Sequence, residues 1–174
     1  MFRMQTDYAL RTLIFLAHKG EQASVQQIAT AYGISRDHLF KVVQQLVRLG
    51  YVASRPGRGG GIRLAKDADA INCGVVVADL EGRNGLLPCV KDANYCVLQP
   101  GCALRSALMR AEDAMYGVLE RLTVADLIRD NERNGAGGIY NLTIRGAAPV
   151  DLPGVTAQEP DVASSSGREL ALQR

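Results

Sequence analysis

The chain has 174 residues, room for one domain and an accessory element. Hydrophobic residues make up 47% of it, enough for a real core, and no run of about 18 apolar residues occurs, which argues against a membrane span. The net charge of +2 conceals an asymmetry: residues 1–70 hold ten Lys and Arg against five Asp and Glu, whereas the remainder is acidic. The basic half is the place to look for nucleic-acid binding, and its modest surplus excludes a histone-like coat. The opening residues, MFRMQTDYALR, lack the apolar stretch and cleavage site of a leader. A cytoplasmic chain is expected, in which four cysteines point to metal, redox chemistry or buried thiols rather than disulfides.

Tyr8, Leu10, Leu13, Ile14, Leu16 and Ala17 recur at helical spacing and predict a first helix over 3–18, ending near Gly20. Ser24 caps a short helix, VQQIATAY, which Gly33 stops. Ser35 caps a third, RDHLFKVVQQLVRL, whose Leu39, Val42, Val43, Leu46 and Leu49 form one buried face. Only Gly33, Ile34 and Ser35 join the second and third helices, so the two must cross steeply as a helix-turn-helix. YVASR (51–55) and IRLA (62–65) predict two strands, joined through Pro56-Gly57-Arg58-Gly59-Gly60-Gly61 as a hairpin. Helix-turn-helix followed by hairpin is the order of a winged helix.

Residues 69–81 read as one short helix ending at Gly82, and residues 83–101 as irregular chain. A long helix is expected from about Cys102 to Leu122. Its Leu104, Leu108, Ala111, Met115, Val118 and Leu122 step by four and three residues, a short coiled-coil-like seam. Thr123 caps a last helix, VADLIRD. From about Asn134 no period remains, and a disordered tail is expected. The fold class is therefore mainly α. Residues 1–82 form a winged helix-turn-helix DNA-binding domain with a small β-hairpin wing, and 83–102 a cysteine loop. Residues 103–133 supply a long dimerisation helix and a terminal helix, and 134–174 the tail.

A recognition helix buries one face and presents polar side chains from its first turns. Ser35, Arg36, His38 and Lys41 are placed for that: Arg36 suits a guanine edge or a phosphate, and Lys41 a phosphate. The wing adds Arg55 and Arg58, with Arg63 on its second strand, and glycines such as Gly59 let its tip follow a groove. Taken singly, each of these is an ordinary solvated side chain. The ordered set of caps, short turn, basic helix start and Gly/Arg hairpin is far more specific, and it points to double-stranded operator DNA. One such module reads few base pairs, so the seam over 104–122 is read as pairing two chains over a pseudo-palindromic site, against the plainer reading of intrachain packing.

Cys89, Cys96 and Cys102 follow a Cys-x₆-Cys-x₅-Cys spacing among Pro88, Pro100 and Gly101. Thiolates are soft ligands for zinc or iron–sulfur clusters. The gaps are wider than the close pairs of zinc knuckles and suit a cluster somewhat better, while zinc and simple reactive thiols stay open. Cys73, in the apolar run INCGVVVADL, reads as a core residue. An enzyme is not expected: there is no Cys-x-x-Cys pair and no clustered acid/base set, and the Gly59–Gly61 run lies in a hairpin rather than before a helix.

TDYALR at 6–11, SRDHLFKVVQQLVRLGYVASRPGRGGGIRLAK at 35–66 and the cysteine triplet resemble the iron–sulfur-regulator family of winged-helix repressors, and within it the nitric-oxide-sensing members. The resemblance covers residues 1 to about 130. It implies an iron–sulfur cluster, 4Fe–4S in preference to 2Fe–2S, bound by Cys89, Cys96 and Cys102. A subtype that uses a His three residues after the third cysteine is disfavoured, since Arg105 stands there. The nitric-oxide-sensing type uses an Asp near the N-terminus of the partner subunit, a position matched by Asp7, which otherwise reads as an acid favoured at a helix start. His18 and His38 are not compelling ligands. The resemblance further implies a homodimeric repressor that releases its operator when the cluster is nitrosylated or lost. The alternative is a thiol- or zinc-based regulator without a cluster.

Overall fold

The computed structural model describes residues 2–134 except Arg58, Asn84, Ala93 and Pro100. The expected disordered tail lies, apart from Asn134, outside the described residues. The elements run α1 (Met4–Lys19), α2 (Val25–Tyr32), α3 (Arg36–Arg48), β1 (Val52–Arg55), β2 (Gly61–Leu64), a 3₁₀ turn (Ala68–Ala70), α4 (Cys73–Glu81), α5 (Pro88–Lys91), α6 (Ala103–Leu119) and α7 (Val124–Arg133). The mainly helical winged-helix architecture expected from the sequence is present.

Local chemistry sets the helix ends. Ser24 and Gln27 form a reciprocal capping box at the start of α2, and Thr123 and Asp126 form one at α7. Gly20 and Gly33 adopt the left-handed conformation that closes α1 and α2. Ser35 occupies the cap position of α3, but its side chain makes no cap hydrogen bond, contrary to the expectation.

The core is built where α1, α2, α3 and the wing converge. Leu13, Ile28, Leu39 and Leu46 are fully buried there, with Phe15 and Val52 nearly so. Strands β1 and β2 pair antiparallel, Val52 opposite Leu64 and Arg55 opposite Gly61. A third short partner joins them: Ala23, in the α1–α2 linker, exchanges both backbone hydrogen bonds with Ile62 at 2.9 and 2.8 Å. The wing is thereby tied to the helical body.

The single helix expected over 69–81 is instead a 3₁₀ turn and α4, separated by Ile71 and Asn72 in extended backbone. The break has a tertiary cause. Asn72 bridges Thr123, the Val124 amide donates to the Ile71 carbonyl at 2.9 Å, and the Cys73 amide to the Leu122 carbonyl at 2.9 Å. Asn72 then caps α4 through its side chain, which accepts from the Val75 amide. The junction carries α7 back onto α1, and Val124 belongs to the core with no exposed surface. Cys73 is buried there as expected, and burial pushes its thiol up to about 11, so it stays protonated and inert.

Candidate nucleic-acid interface and cysteine loop

The candidate recognition face is the outer side of α3. Leu39, Val42, Val43 and Leu46 turn inward, leaving Arg36, His38 and Lys41 exposed, with Ser35 exposed just before them. Arg55 is exposed at the end of β1 and Arg63 on β2. Arg58 lies outside the described residues. Gly59 adopts φ 75°, and its carbonyl accepts a 2.8 Å hydrogen bond from Gln22 Nε2. Gln22 therefore braces the wing tip from the α1–α2 linker. No sequence signal marks that role, because the partners are 37 residues apart. Ala23 and Gln22 thus hold the wing to the α1–α2 linker, and α3 packs directly on β1.

The cysteine loop lies between α4 and α6. Cys89 is the second residue of α5, Cys96 lies in the following turn, and Cys102 is the cap residue of α6, with no side-chain cap bond. All three are half-buried and free of disulfides. Two side chains hold the loop by its backbone. Arg105 Nε donates to the Cys89 carbonyl at 3.0 Å, and Gln99 Nε2 to the same oxygen at 2.9 Å. Arg105, read from sequence only as a missing histidine, is thus a clamp between α6 and α5. Further up, the Arg83 guanidinium pairs with Glu120 and lies 4.7 Å over the Tyr116 ring, and the Gly85 amide donates to Glu112 at 3.2 Å. The segment 83–105 is stitched onto α6 at both ends.

Asp7 sits in the first turn of α1, with Oδ1 accepting from Arg11 Nε at 2.8 Å. Beside it the start of α1 is pinned. The Arg3 amide donates to Glu81 at 2.7 Å, its guanidinium adds an ion pair at 3.0 Å, and the buried Thr6 hydroxyl donates to the same carboxylate at 2.5 Å. Burial works against the Glu81 charge, but the bonds from Thr6 and Arg3 outweigh it and hold the carboxyl below its usual range. Among the described residues no three His, Cys, Asp or Glu side chains gather tightly enough to hold a single metal ion. Cys89, Cys96 and Cys102 are themselves not gathered into such a group, with or without Asp7; three half-buried free thiols fit iron–sulfur chemistry in the kind of donor they offer.

Comparison with known proteins agrees with the winged-helix fold. The family model Rrf2, described as an iron-dependent transcriptional regulator, matches residues 2–130. The chain belongs to the Rrf2 family. It is 45% identical over 130 residues to the HTH-type transcriptional regulator NsrR of Oceanobacillus iheyensis, covering 73% of this chain and 88% of that one. NsrR of Bacillus subtilis is likewise 45% identical over 130 residues, at 73% and 89% coverage. Among solved structures, the global cysteine regulator CymR of B. subtilis superposes with a TM-score of 0.62 at 30% identity, covering 74% of this chain and 96% of that one. The IscR of T. potens matches in fold, with a TM-score of 0.62 at 24% identity, covering 77% of this chain and 90% of that one. This Rrf2-family member is accordingly a DNA-binding transcriptional regulator, in keeping with its winged helix. No helix among the described residues is long and apolar enough to cross a membrane.

Proposed function

We propose that this Rrf2-family chain is a homodimeric, cytoplasmic repressor that senses nitric oxide through an iron–sulfur cluster held by Cys89, Cys96 and Cys102 of one subunit and the partner subunit's Asp7. The observation that carries the reading is the continuity of the cysteine loop with α6, a helix that buries only Tyr116 within its own chain. Leu104 and Val118 of its seam are each 61% exposed. A second copy of α6 is the natural cover, and it would bring the cysteine loop of one subunit toward the other.

When bound, the cluster supplies iron that reacts with nitric oxide. The three thiolates are strong soft ligands, and the Asp7 carboxylate is a harder and weaker one that leaves more readily. Asp7 stands on α1, which packs against α3. Release of Asp7 would free α1 from the cysteine loop and alter the spacing of the two recognition helices, lowering operator affinity. Non-specific attraction would remain through Arg36, Lys41, Arg55 and Arg58.

The test is anaerobic purification followed by iron and sulfide assay, with operator affinity and visible absorption followed as nitric oxide is added. The expected result is a coloured protein whose absorption and affinity fall together. A colourless chain holding one zinc, or a metal-free chain whose affinity responds only to thiol oxidation, would transfer the role to the zinc- or thiol-based alternative.

A further inference from the structure

One stripe of the recognition helix is neither core nor basic. Phe40, Gln44 and Val47 follow one another at four and three residues and so share a face of α3. Phe40 is 47% exposed and Val47 37%. With Val25 at the start of α2 and Ser54 and Ile62 of the wing, they wall a cleft of about 400 Å³. The cleft therefore opens between recognition helix and wing, the two elements a winged helix turns toward DNA. One exposed cation, Arg48, lines it as well, and Arg36 and Lys41 are exposed on the same helix.

An apolar ring beside a carboxamide, with Arg48 in the same cleft wall, matches one ligand chemistry, the major-groove edge of an A·T pair. Thymine carries an apolar C5-methyl there, and adenine offers an N6 donor and an N7 acceptor that a Gln side chain meets with two hydrogen bonds. We infer that Phe40 and Gln44 are the A·T-reading pair of this regulator, Phe40 packing on a thymine methyl and Gln44 bridging an adenine. This rests on α3 being the recognition helix, and it makes the outer stripe, rather than Arg36 alone, the source of sequence preference.

The test uses the full chain, purified anaerobically, and the duplex it selects from a random pool. Each thymine is replaced in turn by deoxyuridine, which lacks only the methyl group. At one symmetry-related pair of positions the wild type should bind about fourfold more weakly per half-site, the worth of one buried methyl. Phe40→Ala should lose that sensitivity while keeping the salt dependence of binding, since phosphate contacts are untouched. Phe40→Leu, which keeps an apolar contact and serves if the alanine variant fails to fold, should retain part of it. Gln44→Ala should stop discriminating A·T from G·C at the neighbouring step. A wild type indifferent to deoxyuridine at every thymine, or a Phe40→Ala variant with the full penalty, overturns the pair. A chain that selects no duplex at all overturns the recognition-helix assignment beneath it.

Discussion

Asp126 engages both carboxylate oxygens: Oδ2 accepts from the Thr123 hydroxyl at 2.7 Å and amide at 2.9 Å, and Oδ1 from Arg129 at 2.5 Å. The Thr123 hydroxyl, then its amide and Arg129, pull the carboxyl down to about 2. An acid depressed in the folded state adds stability above its unfolded pKa, and that stability is lost as pH falls through the folded value. The α7 cap should therefore weaken between about pH 4 and pH 2, and Asp126→Asn, with no proton to take up, should show a shallower loss of melting temperature over that window. Equal slopes for the two proteins would refute the cap's role in acid stability. Asp7 makes the opposite kind of contact, an exposed pair with Arg11 worth only about 0.3–0.5 kcal/mol. Asp7→Ala is expected to leave the melting temperature almost unchanged while the iron of anaerobically purified protein is lost to a chelator several-fold faster. Unchanged chelation kinetics would remove Asp7 from the site.

What the sequence revealed about each element depended on how far away its partners lay. Ser24 and Gln27 cap α2 from three residues apart, and Leu39, Val42, Val43 and Leu46 mark the buried face of α3 by their spacing alone. The break at Ile71 and Asn72 was illegible because its cause, the pairing with Thr123 and Val124, lies some fifty residues downstream. The cysteine spacing announced soft ligands, but the Arg105 and Gln99 clamps on the Cys89 carbonyl join residues 16 and 10 apart that no local pattern links. The wing shows the same limit. Its glycine run suggested a loose tip, yet Gly61 is constrained by the Ala23 strand, and a Cβ there would lie 2.7 Å from the Ala23 carbonyl oxygen. Backbone cannot swing aside as a side chain does. Gly61→Ala should push the hairpin off the linker, cost about 1–3 kcal/mol in urea unfolding, and flatten the salt dependence of DNA binding as wing cations lose their phosphates. Unaltered stability and salt slope would mean that the Ala23–Ile62 bridge does not position the wing.

At the scale of the molecule the unresolved tension is α6. Seventeen residues of helix bury a single side chain in their own chain, while Leu104, Met109 and Val118 stand exposed. Such a helix is poorly stabilised alone, because most helical stability comes from packing an apolar face. The seam residues Leu108, Met115 and Leu122 are only half-buried by neighbours in the same chain. On the proposed dimeric reading both facts have one resolution, a second α6 against the first. Leu104→Asp combined with Val118→Asp tests this directly. Both positions are 61% exposed, so the charges cost the single-chain fold little, whereas in a dimer seam they would bury like charges against each other. The double variant is expected to elute at monomer mass by light scattering with its helical circular dichroism largely retained. It should also bind a two-half-site operator at least tenfold more weakly than the parent, since one module alone must then supply the affinity. Its iron should become labile in the same preparation, because a site completed by the partner subunit's Asp7 cannot form within one chain. A variant that keeps the parent's mass would place the subunit contact elsewhere. One that turns monomeric yet holds its iron as firmly as the parent would confine the cluster to a single subunit and leave Asp7 without a part in it.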